Sequence, residues 1–110
     1  MRNKTQEMQS ILKEFGLNSS YLGAKYLEHA LKMAVEREDA LTDISKHLYV
    51  DTAKNFNTSA SCVERDIRTV IKIIWERGDR SCIEKITGYT GQSCPTNSEF
   101  IRCMVSYFRG

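Results

Sequence analysis

Between residues 61 and 72 three cations, Arg65, Arg68 and Lys72, recur at helical spacing beside Ser61, Cys62 and Thr69. Wound at about 100° per residue, Ser61, Arg65, Arg68 and Lys72 share one side of a helix, with Cys62 and Thr69 on its flank. Val63, Ile67, Val70, Ile71, Ile74 and Trp75 gather on the opposite side, and Glu64 and Asp66 fall toward the boundaries. A guanidinium carries a flat fork of donors that matches the paired acceptors of a guanine edge, and a carboxylate such as Glu64 accepts from a cytosine amino group. Lysines at 54 and 72 offer charge to phosphates. The chemistry of this stripe is nucleic-acid recognition; a plain solvated face is the competing reading.

Other chemistries find less support. Cysteines at 62, 82, 94 and 103 are too widely spaced for a zinc knuckle, and neither His29 nor His47 completes a ligand pattern. No metal and no cofactor are expected. No export signal leads the chain, so a cytoplasmic protein with reduced thiols is the expectation. Apolar runs stay short, which leaves nothing to span a membrane. There is no nucleophile–base pair at useful spacing and no glycine-rich phosphate loop, so an enzyme is not expected. The net charge is only +2, so a case for DNA rests on where the cations sit rather than on their number.

The elements that position the stripe are helical throughout. At 110 residues the chain suits one domain with one core, and the expected fold is an all-α bundle of about six helices. Residues 5–15 put Met8, Ile11, Leu12 and Phe15 on one face and stop at Gly16. Ser19 or Ser20 is placed to cap a second helix, whose stripe runs from Leu22 to Val35 and frays in Glu36–Asp39. Two short helices follow, about 41–48 and 50–56, then a long one over about 59–77 and another over 80–87 that closes at Gly88. Thr96 and Glu99 have capping-box spacing before a last helix that buries Phe100, Ile101, Met104, Val105 and Phe108.

Residues 49–77 also read as a helix-turn-helix. Ala53 is small where a second helix crosses, and Asn57 tolerates left-handed backbone in the turn. Thr58 is placed to cap the second helix, while Phe56 and Val63 are placed to hold the pair together. Backbone N–H groups near Thr58 and Ser59 make that helix start a phosphate site. Pro95–Ser98 has a similar potential, with simple capping as the alternative. Trp75, on the apolar side, is expected in the core. The Tyr107-Phe108 end of the last helix suits either a dimer contact or packing on the first helix.

The run Asp51-Thr52-Ala53-Lys54-Asn55-Phe56-Asn57-Thr58, followed by Ala60-Ser61, Val63-Glu64-Arg65 and Ile67-Arg68, resembles the C-terminal effector domains of the stage-zero sporulation protein A family. The likeness continues in Trp75-Glu76-Arg77-Gly78, in Gly88-Tyr89-Thr90 and in Pro95-Thr96-Asn97-Ser98-Glu99-Phe100-Ile101. More loosely it takes in Tyr26-Leu27, the Ala30 helix and Leu48-Tyr49, so it spans nearly the whole chain in order. These are the response regulators that start endospore formation. The resemblance implies a six-helix domain whose recognition helix enters the major groove at a TGTCGAA-like box, often as a tandem homodimer, to activate or repress promoters.

It also implies base readers at Cys62, Glu64, Arg65 and Arg68, and phosphate contacts at Lys54, Thr58, Ser59, Ser61, Thr69 and Lys72. A partner surface for an RNA polymerase sigma subunit falls within residues 76–90. Two positions depart from the family pattern: Cys62 stands where an arginine is usual and Thr69 where a histidine is usual. A thiol cannot form the bidentate pair with guanine, so weaker binding or an altered box is expected. The family's receiver domain is expected to be absent from this chain. A relative of the same fold that binds protein partners instead of DNA is the alternative function.

Overall fold

The computed structural model describes residues 4–18 and 20–110, apart from the side chains of Lys4 and Glu38. Helix α1, Lys4–Glu14, lays Met8, Ile11 and Leu12 into the interior, with Phe15 just beyond its end. The chain then reverses at Gly16, whose φ of 84° is a left-handed conformation that glycine enters at no steric cost. Leu17 N–H bonds back to Leu12 O at 3.0 Å and Gly16 N–H to Lys13 O at 2.9 Å, the paired closure of a Schellman turn.

Helix α2, Leu22–Glu36, begins after Tyr21, which makes no side-chain cap. Ser20 is therefore not the cap; its N–H instead donates to Asn18 Oδ1 at 2.9 Å, and Ser19 lies outside the described residues. The predicted fraying at Glu36–Asp39 is an end at Arg37 followed by a 3-10 turn, Glu38–Leu41. The two short helices expected next form one continuous run. A π-turn, Ser45–Tyr49, passes directly into α3, Val50–Asn55, with Asp43 receiving the Lys46 N–H at its start. The wider turn seats the adjacent Leu48 and Tyr49 both inside, leaving no solvent-facing break between two helices.

Helix α4, Ala60–Arg77, is the longest element and runs through the centre of the bundle against α2, α3 and α6. Helix α5, Arg80–Thr87, starts on the Asp79 carboxylate and closes at Gly88. Helix α6, Asn97–Arg109, opens with the predicted capping box: Thr96 Oγ1 receives Glu99 N–H at 3.1 Å, and Glu99 Oε1 receives Thr96 N–H at 2.9 Å. Phe100, Ile101, Met104 and Val105 are buried, while Phe108 is half-buried against the same core. At its far end the Arg109 guanidinium donates to the last carbonyls of α2, Ala34 O and Val35 O. All six helices contribute to one hydrophobic core, and no strand occurs among the described residues. No described helix is long and apolar enough to cross a membrane.

Candidate nucleic-acid interface

The turn between α3 and α4 has the geometry that a helix-turn-helix demands. Asn57 sits at φ 54°, the left-handed conformation among non-glycine residues that asparagine best tolerates. Thr58 N–H returns to Ala53 O at 2.9 Å and Asn57 N–H to Lys54 O at 3.4 Å, so α3 closes by the same device as α1. Ala53 is buried beneath the crossing. The cap of α4 is Ser59 rather than Thr58: Ser59 Oγ receives Cys62 N–H at 3.1 Å, and the Thr58 N–H is already committed to the turn. Phe56 turns its ring edge to Tyr26 and His29 of α2, with centroids 5.1 and 5.8 Å apart, and His29 pairs with Asp51 at 3.1 Å. The first helix and the turn are thereby held against α2.

The two faces of α4 separate as its spacing predicts. Val63, Ile67, Val70, Ile71 and Ile74 are buried. Ser61, Arg65, Arg68, Thr69 and Lys72 are exposed along the opposite face, with Cys62 half-buried on the flank. The Arg65 and Arg68 side chains are 61% and 64% exposed, so both stand away from the bundle. Each already holds a carboxylate on its own helix: Arg68 meets Glu64 at 3.0 Å, and Arg65 meets Asp66 at 3.4 Å. The Asp66 hydrogen bond, then its charge, raises the Arg65 pKa further, so this side chain is always a cation. Thr69 Oγ1 turns back to Arg65 O at 3.0 Å. Lys54 is exposed on α3, the helix before the turn.

Hydrogen bonds from Ser59 and Thr58, with the Arg65 charge behind them, lower the Cys62 thiol below its ordinary pKa. Cys62, Cys82, Cys94 and Cys103 are all free thiols.

Trp75 is half-exposed rather than in the core. The Arg80 guanidinium lies 3.5 Å above its ring and donates through Nε to Trp75 O, and Tyr89 meets it edge-on at 5.7 Å. Its place on the boundary of the stripe, and a cation from α5 to cover it, keep it at the surface.

Two supports were missed by reading the sequence. Gly23, in the first turn of α2, lies so close to α4 that a Cβ there would strike Asp66 O and stand 2.7 Å from Val70 Cγ1. A lone glycine in a helical pattern is the signal for such a close approach. Asn97, at the start of α6, is buried and donates from Nδ2 to Glu64 O and to Tyr49 Oη, both at 3.1 Å. Nothing in its spacing announces a bond to a carbonyl 33 residues away. Burial, ahead of any charge effect, pushes the Tyr49 phenol above its usual pKa.

The chain matches the family described as "Sporulation initiation factor Spo0A C terminal" over residues 8–108. That family comprises regulatory domains that bind DNA and is not a family of enzymes. From the ridge on α4 and from this match across nearly all of its length, the chain belongs to the C-terminal domains of the sporulation initiation factor Spo0A.

Proposed function

We propose that α4 is the recognition helix of a sequence-specific DNA-binding domain, and that it enters the major groove of a TGTCGAA-like box to regulate transcription. In this reading Cys62, Glu64, Arg65 and Arg68 meet base edges. Lys54, Thr58, Ser59, Ser61, Thr69 and Lys72 meet phosphates, with Thr58 acting through its side chain because its N–H is spent in the turn. The observation that carries the reading is the exposure of Arg65 and Arg68 on a helix whose opposite side is firmly buried. Such a helix presents its cations at groove depth while the core fixes its tilt.

Residues 1–110 act here as one effector domain, working in the cytoplasm on the nucleoid. Tandem boxes call for a second copy, and Tyr107, 41% exposed at the end of α6, is an available apolar contact. The stretch 76–90, with exposed Arg80 and Lys85 on α5, is the face offered to a sigma subunit.

Fluorescence anisotropy against a duplex with two TGTCGAA boxes, and against a scrambled duplex, tests the reading across a salt series. Preference for the boxes, with affinity falling steeply as salt rises, is expected, because each neutralised phosphate releases counterions. Equal and weak binding to both duplexes would instead leave the protein-binding alternative.

A further inference from the structure

We propose that Asn97 is a positioning residue for DNA recognition: its buried amide sets the rotation of α4 about its own axis, and so where Arg65 and Arg68 arrive. This rests on the reading of α4 as the recognition helix. The amide spends its two N–H groups on two elements, Glu64 O in α4 and Tyr49 Oη in the π-turn, each at 3.1 Å. Its own backbone is pinned by the capping box at the start of α6. Three separate elements therefore meet at one side chain, and the carbonyl it grips belongs to the peptide between Glu64 and Arg65.

Apolar packing beneath α4 does not fix that rotation as tightly. Burial energy follows area and has no direction, whereas a hydrogen bond weakens steeply as its angle opens. On a helix with an outer radius of ~6 Å, a rotation of ~10° moves a side-chain end by ~1 Å. A bidentate pair with a base tolerates roughly 0.5 Å. Charge attraction to a phosphate changes only gently over the same distance. Loosening this rotation therefore erodes base reading and leaves general attraction to DNA intact.

The experiment compares wild type, Asn97→Ala and Tyr49→Phe on two probes: the duplex that wild type enriches from a randomised library, and a scrambled version of it. Asn97→Ala is expected to lose about tenfold on the enriched duplex, the worth of one good base contact, and to stay within about twofold on the scrambled one. Tyr49→Phe keeps the ring and the bond to Glu64 O, so a skew of about threefold in the same direction is expected. An Asn97→Ala protein folded by circular dichroism that loses both affinities in parallel, or neither, overturns the proposal. If Asn97→Ala does not fold, an unskewed Tyr49→Phe overturns it. Failure of wild type to enrich any sequence sinks the recognition-helix reading and this inference together; enrichment without skew sinks the inference alone.

Discussion

Arg68 is the side chain on which base reading most depends, because it is well exposed on the outward face of α4. Arg68→Ala is expected to weaken binding to the boxed duplex by about 1–3 kcal/mol and to blur preference at one base position. Lys72→Ala should behave differently, lowering boxed and scrambled affinities alike and reducing the salt slope by about one. Anisotropy titrations at several salt concentrations separate the two, and identical behaviour of both variants counts against the assigned roles. Cys62→Arg puts a bidentate donor at a proposed base reader and is expected to tighten binding to the proposed TGTCGAA boxes. In the native chain the lowered Cys62 thiol gives more thiolate at a given pH, whereas burial raises Cys103. Alkylation followed by mass spectrometry from pH 7 to 9 should thus label Cys62 ahead of Cys103, which is similarly half-buried, and bound duplex should protect Cys62. Individual outward side chains were legible in the sequence because a helical face is a matter of angle alone. Their ion pairs with Glu64 and Asp66 were not, since boundary positions turn either way until packing decides.

At the level of elements, the close crossing of α2 over α4 yields the sharpest test. In a free helix, replacing glycine with alanine gains about 1 kcal/mol. At Gly23 the added carbon meets the Asp66 carbonyl, which belongs to a backbone that cannot swing aside. Gly23→Ala should therefore destabilise the fold by about 1–3 kcal/mol, read as a lower urea midpoint with an unchanged slope. A stabilised variant would show that the two helices part without cost. Element ends written in local chemistry were readable in advance: the Thr96/Glu99 box, the reversal at Gly16 and the left-handed Asn57. The π-turn was not, because its extra residue is justified only by the shared inward seating of Leu48 and Tyr49. Ser59 displaced Thr58 as the cap for a similar reason, the Thr58 N–H being drawn into the closure of α3.

Across the whole molecule one core joins all six helices, and Arg109 ties the end of the chain to the end of α2. Unfolding should accordingly be a single cooperative event, with far-ultraviolet circular dichroism and Trp75 fluorescence giving coincident urea curves. An early change in fluorescence would mark the region of α5 and the Tyr89 loop as a separately melting unit. The all-helical bundle followed from periodicity and glycine stops, although two short helices read separately proved to be one run, whereas the long-range ties at Asn97, Arg109 and Gly23 needed three dimensions. The tie at Gly23 has a practical corollary. With backbone resting on backbone there, no choice of side chain at position 23 offers a new tilt for α4. Anyone retargeting this chain to a different operator must write the new code in the proposed base readers at 62, 64, 65 and 68, because the tilt at which α4 carries them is not for revision at position 23.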